Sequence, residues 1–376
     1  MTRLICIVGA RPNFMKIAPI MEALRNEAPE IDVKLVHTGQ HYDAAMKRQF
    51  FEQLGIPEPD VDLGVGSGTH SVQTAEIMKR FEPLLEEFKT DAVLVVGDVN
   101  STIACALVAV KNHVPVIHVE SGLRSGDRDM PEEINRVLTD QISDLLYTTE
   151  RTAADNLQRE NVDLSRVHFV GNVMIDTLKK HVKKATPIIQ TLADLDNPSA
   201  VLDSKQGYAL LTMHRPSNVD EEPILISLLD TLAKVSQQLP IVFPVHPRTR
   251  QRLQKFGLEG KLQAANIHCL GPLGYLEMLG LMANARMMLT DSGGIQEETT
   301  ALGVPCITLR ENTERPITVD QGTNTIVGTD SAAILRAVDI VLKEGGKAGR
   351  QPELWDGQAA VRIARHLVSW FAERSR

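Results

Sequence analysis

Residues 287–310 read MMLTDSGGIQEETTALGVPCITLR, and this stretch decides the fold of the second half of the chain. It runs from an apolar strand through a glycine turn into a helix and then into a second apolar strand, which is the order of a βαβ unit. Ser292, Gly293 and Gly294 stand where the helix begins, and a helix N-terminus with open backbone N–H groups attracts anions. The stretch therefore predicts a phosphate-binding turn.

Glu298 lies one turn into the same predicted helix. A carboxylate there is placed to accept hydrogen bonds from both hydroxyls of a ribose, beside a diphosphate at the helix start. Together, the turn and the glutamate predict a nucleotide site. An ordinary βαβ turn, whose glycines only relieve steric crowding, explains the same residues without a ligand.

Apolar, strand-like runs alternate with helix-length amphipathic segments along the whole chain. The runs cover residues 4–8, 33–37, 92–96, 116–119, 145–148 and 168–170 in the first half, and 208–212, 241–245, 267–270, 287–290, 306–309 and 324–327 in the second. Strands that alternate with helices form parallel sheets with helices on both faces. The sequence thus predicts an α/β protein with two Rossmann-like, doubly wound parallel-sheet domains.

The two series of strands set the predicted domain boundaries. Residues 1–171 form an N-terminal Rossmann-like domain, and residues 207–357 form a C-terminal Rossmann-like domain with the nucleotide site. Residues 172–206 pass from a helical stretch into a polar connection and are predicted to be a linker or hinge. Residues 358–376 are predicted to be a helix that packs back on the N-terminal domain. Because parallel sheets bind ligands beyond the carboxyl ends of their strands, we expect the active site in the cleft between the domains.

The charge balance and the apolar pattern argue against several classes of partner. The chain has 376 residues and a formal net charge of −8, which is unfavourable for binding nucleic acid or an anionic membrane. The first apolar run is interrupted at Arg11 and Pro12, so it is too short for a signal peptide or a membrane span. We therefore expect a soluble, cytoplasmic protein.

Neither a cofactor nor a metal is expected. The first βα turn, VGARPNFMK, has one glycine and lacks the GxGxxG pattern of dinucleotide-binding folds. The histidines and acidic residues show no HExxH motif, no clustered His/Cys tract and no aspartate ladder. Nicotinamide chemistry and metal catalysis both lose support.

Charged side chains follow three predicted strands of the first half. Arg11 and Lys16 follow the first strand and offer a guanidinium fork and a point charge to a phosphate or carboxylate, although a solvated basic turn is the alternative. Asp98 and Glu120 each stand at the end of a later strand. Because the carboxyl ends of parallel strands meet at one edge of a sheet, we expect both carboxylates to face one cleft.

Two further glutamates, Glu132 and Glu133, lie in the string MPEEINR, with Pro131 at the predicted helix start. Either one can simply favour the helix N-terminus, and for Glu133 we prefer that explanation. For Glu132 both a helix-start role and a role in chemistry stay open.

Basic groups follow the strands of the second half. His214 and Arg215 come directly after the first strand of that half, and His246 comes after the second. A histidine at a strand end can donate a proton or a hydrogen bond to a departing diphosphate near neutral pH, although a lone histidine such as His246 is equally compatible with a structural role. Arg315 either completes a basic collar around the diphosphate or forms a surface salt bridge with Glu311 or Glu314.

Taken together, GARPNFMK, GQHYD, GDVNST, HVESGLRSG, PEEINR, TMHRPSN, DSGGIQEE and TERP resemble the non-hydrolysing UDP-N-acetylglucosamine (UDP-GlcNAc) 2-epimerases. The strings cover nearly the whole chain and occur in the family's order. The resemblance implies the two-Rossmann fold of glycosyltransferase-B type. Two strings depart from the commoner forms: GARPNFMK lacks an acidic residue after its proline, and TMHRPSN lacks a second arginine.

The resemblance also implies roles for the candidate residues. Those that would hold the UDP moiety are Arg11, Lys16, His214, Ser292, Gly293, Gly294, Glu298 and Arg315. Those that would serve catalysis are Asp98, Glu120, Glu132 and His214. In some bacterial members a second UDP-GlcNAc molecule is an allosteric activator, which implies regulatory contacts from Gln40, His41 and Gln73. Members often dimerise, so a homodimer is expected.

The implied reaction is reversible inversion at C2 of UDP-GlcNAc, which gives UDP-N-acetylmannosamine for surface polysaccharide synthesis. UDP would leave to form 2-acetamidoglucal and would then add back. The nearest alternative is the same reaction on a modified sugar, a UDP-diacetamido uronate. A hydrolysing epimerase that releases UDP and free N-acetylmannosamine, a glycosyltransferase and a non-catalytic nucleotide-sugar sensor would also account for the UDP site.

Overall fold

The computed structural model describes residues 2–39, 50–193, 195 and 197–374. The chain forms two compact units, of which the first is Met1–Lys180 with Glu353–Arg376 and the second is His181–Pro352. The chain passes from the first unit to the second between Lys180 and His181, within residues 172–206, which the sequence predicts to be a linker. It returns to the first unit at Glu353. The last helix, Ala359–Arg374, belongs to the first unit.

The first unit is built on seven parallel strands in the order β3-β2-β1-β4-β5-β6-β7. The strands are β1 (Thr2–Val8), β2 (Ile31–His37), β3 (Val61–Asp62), β4 (Ala92–Val96), β5 (Val116–Ser121), β6 (Leu145–Thr148) and β7 (Val167–Phe169). Its helices include Arg11–Glu27, His70–Glu87, Asn100–Lys111, Pro131–Ile142, Arg151–Arg159, Val173–His181 and Ala359–Arg374. Strand β3 has no counterpart in the sequence pattern, because two residues are too few to show a periodicity.

The central strands of this sheet are continuously apolar because helices cover both of their faces. Every residue of β4, AVLVV, is buried, and helix Asn100–Lys111 packs beside it. A parallel sheet buried on both faces needs such runs instead of alternation. Ile5, Phe81 and Val93 belong to the same core, and each buried side chain of this size contributes about 1.5–3 kcal/mol.

The order of the strands reverses at β1, which lies between β2 and β4. Ligands of open parallel sheets bind beyond the strand ends at such a switch point. Lys16, Asp98 and Glu120 follow or end β1, β4 and β5. The fold therefore gathers these predicted candidates at one edge of the sheet.

The second unit has six parallel strands in the order β10-β9-β8-β11-β12-β13. The strands are β8 (Ala209–Thr212), β9 (Ile241–Pro244), β10 (Ile267–Leu270), β11 (Met287–Thr290), β12 (Cys306–Thr308) and β13 (Asn324–Ile326). Its helices include Ile188–Thr191, Ser199–Leu202, Pro216–Val219, Glu222–Val235, Pro247–Lys255, Glu259–Gln263, Tyr275–Asn284, Gly293–Leu302, Pro316–Asp320 and Ser331–Glu344. The switch point lies between β8 and β11, the strands that precede His214 and Ser292.

Each predicted apolar run coincides with one of these strands to within a few residues. The two doubly wound parallel sheets confirm the predicted α/β fold class. In the part of the chain that the structure describes, no helix has both the length and the apolar character needed to span a membrane.

Candidate active site

Lys16 and Glu120 form a buried ion pair at the switch point of the first unit. Glu120, at the end of β5, is 4% exposed, and Lys16, in the second turn of helix Arg11–Glu27, is 6% exposed. The ammonium group contacts the carboxylate directly. Glu120 has a φ of +73°, a left-handed conformation that is uncommon for residues with a side chain. Backbone strain of this kind clusters at functional sites.

Because Gly97 has no side chain, it leaves room for the ion pair between Lys16 and Glu120. It follows β4 with a φ of +67°. A Cβ atom at Gly97 would lie 2.7 Å from Lys16 Nζ and 3.2 Å from Glu120 Oε2. Any larger residue would therefore push the pair apart and strain the backbone.

Arg136, from helix Pro131–Ile142, holds Asp98. Its Nε lies 3.2 Å from Asp98 Oδ2, and its Nη2 contacts the same oxygen. Its Nη1 donates to Glu133 Oε2 at 2.5 Å. One buried guanidinium group thus ties Asp98 to the helix that also carries Glu132. Arg136 was not singled out from the sequence, because only the folded chain brings it to Asp98.

Glu133 does more than favour a helix N-terminus, the explanation that we preferred from the sequence. Its buried carboxylate accepts hydrogen bonds from the backbone N–H groups of Ser125, at 3.0 Å, and Gly126, at 2.9 Å, and from Arg136. These contacts hold the loop that follows β5. Glu132, its neighbour, is half-buried in the first turn of the helix.

Three of the predicted site residues are not fully described by the structure, namely Arg11, Gln40 and His41. Arg11 begins the helix that carries Lys16, but its side chain is not among the described ones. Gln40 and His41 lie outside the described residues. Their roles stay predictions.

Gln73, the third predicted regulatory residue, is buried in helix His70–Glu87. Its Nε2 donates to the carbonyl of Gly66 at 3.0 Å, and its Oε1 accepts a hydrogen bond from Asn100 at 2.8 Å. Gln73 therefore joins its helix to a loop and to the helix after β4. A regulatory role for it stays a prediction.

His214 and Asp291 form the centre of the second unit's site. They follow the neighbouring strands β8 and β11. Nδ1 of His214 lies 3.0 Å from Asp291 Oδ1, and 37% of the His214 side chain is exposed while Asp291 is fully buried. With Nδ1 directed to the carboxylate, Nε2 is the nitrogen that can meet a ligand.

Asp291 also organises the backbone beside it. Its Oδ2 accepts hydrogen bonds from the N–H groups of His214, at 2.9 Å, and Arg215, at 2.8 Å. Burial alone raises the pKa of Asp291, but the charge and ring N–H of His214 and these backbone groups outweigh burial and lower the pKa. Asp291 therefore stays ionised and holds His214 in one orientation.

The helix Gly293–Leu302 begins at the predicted phosphate-binding turn. Ser292 precedes it in an extended conformation, and its first turn, Gly294 included, carries no acidic side chain. The turn itself therefore adds no negative charge to the positive end of the helix dipole, although the carboxylate of Glu314 lies beside it. A Cβ atom at Gly293 would collide with the carboxylate of Glu314, so the steric explanation for this glycine also applies.

Glu298 is buried one turn further into that helix and is 3% exposed. The hydroxyl group of Tyr275 donates to its Oε1 at 2.9 Å. Burial raises the pKa of Glu298 to about 7, while the Tyr275 hydrogen bond lowers it in part and the charge of Glu297 raises it. Glu298 therefore titrates close to neutral pH, as groups in functional sites often do. Tyr275 was not singled out from the sequence.

Arg315 is only 5% exposed. A surface salt bridge needs an exposed side chain, so that explanation for Arg315 does not apply. Its Nε lies 2.9 Å from Glu297 Oε1. Arg310, two residues after β12, is also buried, and its Nη2 donates to Glu314 Oε2 at 2.8 Å. Among the described residues of the unit, Arg310 and Arg315 are thus two buried guanidinium groups, of which only Arg315 was named from the sequence. Position after a strand end was the available signal for Arg310.

His246 has a structural role at the start of helix Pro247–Lys255. Its Nδ1 accepts a hydrogen bond from the backbone N–H of Arg248 at 3.2 Å. Its ring centroid lies 5.2 Å from that of His214. The structural role that the sequence left open for His246 is therefore supported, at a position beside the candidate site.

Two doubly wound parallel sheets with charged and glycine-containing turns at their switch points define a class of α/β proteins that bind nucleotide-containing ligands there. Comparison with known proteins agrees with this class. The chain belongs to the UDP-N-acetylglucosamine 2-epimerase family, whose model matches residues 22–368. The family and the isomerase class predicted from the sequence are thereby confirmed.

The chain resembles known proteins of this family along almost its whole length. It is 43% identical to a UDP-N-acetylglucosamine 2-epimerase of Methanocaldococcus jannaschii, over 97% of this chain and 99% of the relative. It is 39% identical to the UDP-2,3-diacetamido-2,3-dideoxy-D-glucuronate 2-epimerase of Pseudomonas aeruginosa, over the same shares. The crystal structure of a Methanocaldococcus jannaschii UDP-GlcNAc 2-epimerase in complex with UDP-GlcNAc and UDP matches with a TM-score of 0.88 and 41% identity, over 98% of this chain and 100% of that one. The predicted glycosyltransferase-B-type fold is confirmed.

Proposed function

We propose that this protein inverts C2 of UDP-GlcNAc to give UDP-N-acetylmannosamine, without hydrolysis and without a cofactor. Family membership and the similarity to a relative with UDP-GlcNAc and UDP bound support this substrate. The observation that carries the proposal is the pair of carboxylates at one switch point, Asp98 and Glu120, each held by a buried cation. Carboxylates positioned in this way suit proton transfer at carbon.

The chemistry explains why carboxylates and a UDP site are needed together. The C2 proton of an N-acetylhexosamine is weakly acidic, because C2 is not next to a carbonyl group. If UDP leaves C1 while a base takes the C2 proton, the C–H electrons form the C1–C2 double bond and the electron pair of the C1–O bond stays on the diphosphate. UDP then adds back to the 2-acetamidoglucal, and an acid protonates C2 on the opposite face.

In this proposal the second unit binds UDP. The helix start at residues 292–294, together with His214 and Arg315, stabilises the diphosphate, and Glu298 accepts hydrogen bonds from the ribose hydroxyls. His214, oriented by Asp291, donates a proton or a hydrogen bond to the departing diphosphate.

The first unit would carry the proton transfers at C2. Asp98, Glu120 and Glu132 supply the base and the acid, and Arg11 and Lys16 add positive charge towards the UDP. The proposal requires one substrate to meet these groups and the UDP-binding groups at the same time. A diphosphate held by several cations is a better leaving group, because its developing charge is already neutralised.

The second candidate is the same reaction on a UDP-diacetamido uronate. The 39% identical relative from Pseudomonas aeruginosa carries that activity in its name. A uronate has a carboxylate at C6 of the sugar, so an enzyme selective for it needs a cation near that carbon. The hydrolysing epimerase differs in product, because water instead of UDP would add to the intermediate.

NMR of the purified protein with UDP-GlcNAc alone in D₂O tests the proposal. Two UDP-sugars in equilibrium, with deuterium at C2, are expected. Accumulation of UDP with free N-acetylmannosamine would mean a hydrolysing enzyme. No change with UDP-GlcNAc but turnover of the UDP-diacetamido uronate would assign the second candidate.

Replacement of Asp98 by Asn separates an enzyme from a sensor. The variant is expected to bind UDP-GlcNAc but to lose at least about a hundredfold in kcat, since acid–base catalysis supplies factors of this size. Asp155→Asn, at an exposed position on helix Arg151–Arg159 of the same unit, is the control and is expected to keep full activity. Full activity of Asp98→Asn would remove this residue from the mechanism.

Three further expectations belong to the proposal. The first is a cytoplasmic location, where nucleotide sugars are made. The second is a homodimer, which sedimentation of the purified protein would detect. The third is activation by a second UDP-GlcNAc molecule through Gln40, His41 and Gln73, which would appear as a sigmoidal dependence of rate on substrate concentration.

A further inference from the structure

His118 is a buried histidine that the proposed mechanism does not use. It lies on β5 two residues before Glu120, and its ring is fully buried. Its Nε2 lies 2.8 Å from the carbonyl oxygen of Gly97, and its Nδ1 lies 2.7 Å from Asp140 Oδ1. Both ring nitrogens therefore have a close polar partner.

The partners of His118 determine its protonation state. A carbonyl oxygen can only accept a hydrogen bond, so Nε2 must donate to Gly97. The other oxygen of Asp140, Oδ2, accepts hydrogen bonds from the N–H group of Gly122 at 3.0 Å and pairs with Arg124 Nη1 at 2.7 Å. If Asp140 is a carboxylate, its Oδ1 can only accept, and Nδ1 then donates as well. A histidine that donates from both nitrogens is an imidazolium cation.

The charges around this cation balance. Arg124 also donates from Nε and Nη2 to Glu160, at 2.8 and 2.6 Å. With His118 protonated, two cations, His118 and Arg124, face two carboxylates, Asp140 and Glu160. A neutral His118 would leave this cluster with an uncompensated negative charge, which is costly where His118 and Asp140 are buried.

The cluster holds the backbone on both sides of the catalytic carboxylates. Gly97 directly precedes Asp98, and Gly122 follows Glu120 by two residues. Both glycines are left-handed, with φ of +67° and +79°. A Cβ atom at Gly122 would lie 2.6 Å from a backbone oxygen, so its turn has little room to adjust. The His118–Asp140 pair thus links the two turns.

We propose that His118 is a positioning residue for the reaction: as an imidazolium paired with Asp140, it sets the distance between the Asp98 and Glu120 carboxylates. The proposal rests on the proposed epimerase function for its effect on rate, whereas the charge state of His118 can be tested without turnover. Neither His118 nor Asp140 contacts the substrate in this mechanism. Their loss should therefore reduce kcat and leave UDP binding unchanged.

The variant that tests the rate effect is His118→Gln, which keeps one hydrogen-bond donor but carries no charge. We expect kcat to fall about a hundredfold, as displacements of about 1 Å in a catalytic group do, with the Kd for UDP within about twofold of wild type. The control is His37→Gln. His37 is also buried in the first unit and pairs with an aspartate, Asp62, at 3.0 Å, and it lies on a different strand, β2. We expect the control to lower stability but to change kcat less than about threefold.

Two results would overturn the positioning role. One is an equal loss of kcat in His118→Gln and His37→Gln, and the other is a kcat of His118→Gln within about threefold of wild type. The charge state is tested separately by ¹⁵N NMR of the wild-type protein near pH 7.5, with the His118 signals assigned by their loss in His118→Gln. Two protonated ring nitrogens are expected, and one unprotonated nitrogen would refute the imidazolium. This measurement stands even if UDP-GlcNAc is not turned over.

Discussion

If Glu298 binds the ribose as proposed, UDP binding is expected to weaken as the pH falls through about 7, because only the ionised carboxylate accepts hydrogen bonds from both ribose hydroxyls. Burial raises the pKa of Glu298 to about 7. The ionised fraction then falls from about ten-elevenths at pH 8 to about one-eleventh at pH 6. If the ionised carboxylate binds UDP about tenfold more tightly than the protonated acid, the Kd rises about fivefold over this range, or about 1 kcal/mol.

The perturbation that isolates this effect is Glu298→Gln, since glutamine resembles the protonated acid and cannot ionise. The terminal phosphate of UDP itself titrates near pH 6, so the quantity to follow is the Kd of the variant divided by that of the wild type. We expect isothermal titration calorimetry to give a ratio of about 2 at pH 6 that rises to about 9 at pH 8.

Tyr275→Phe provides a second check on the same reasoning. The Tyr275 hydroxyl group donates to the carboxylate of Glu298, so it favours the ionised form. Its removal should move the midpoint of the pH dependence upwards. A Kd ratio that stays constant between about pH 6 and pH 8 would refute the role of Glu298 ionisation, and a midpoint unmoved in Tyr275→Phe would refute the role of the hydrogen bond.

Three other predictions concern the first unit. Burial raises the pKa of Asp176 to about 6, so the folded state binds this proton more tightly than the unfolded state. The free energy of unfolding should therefore fall by about 2 kcal/mol between about pH 4 and pH 7. Asp176→Asn should remove that part of the pH dependence in urea unfolding, and an unchanged slope would contradict the assignment. Gly97→Ala should lower kcat at least about a hundredfold, because the new Cβ atom would displace the buried ammonium group of Lys16. The control is Gly55→Ala, since Gly55 has the same φ of +67° but no atom within 4 Å of the new Cβ, and it should cost only about 1 kcal/mol of stability. Equal activities of the two alanine variants would disprove the steric argument. Arg136→Lys should lower kcat at least about tenfold, because lysine cannot bridge two carboxylates with a planar fork, and a wild-type rate would show that Asp98 needs no such support.

The sequence by itself determined the fold class and many of the candidate residues. The apolar runs could be recognised because a parallel sheet buried on both faces needs continuous apolar strands. Asp98, Glu120 and His214 could be singled out because they end or follow such runs, and the strand ends of a parallel sheet meet at one edge. The eight sequence motifs identified the family, because the order of motifs along a chain can be read without a structure.

Only the tertiary structure decided how the candidates are paired and charged. Lys16 meets Glu120 across 104 residues, and Arg136 meets Asp98 across 38, separations at which no local pattern operates. The same applies to the Tyr275 hydrogen bond to Glu298 and to the link from His118 to Gly97. Periodicity and motifs report on neighbours along the chain, whereas the charge state of a buried group depends on which distant partners the fold places within hydrogen-bonding distance.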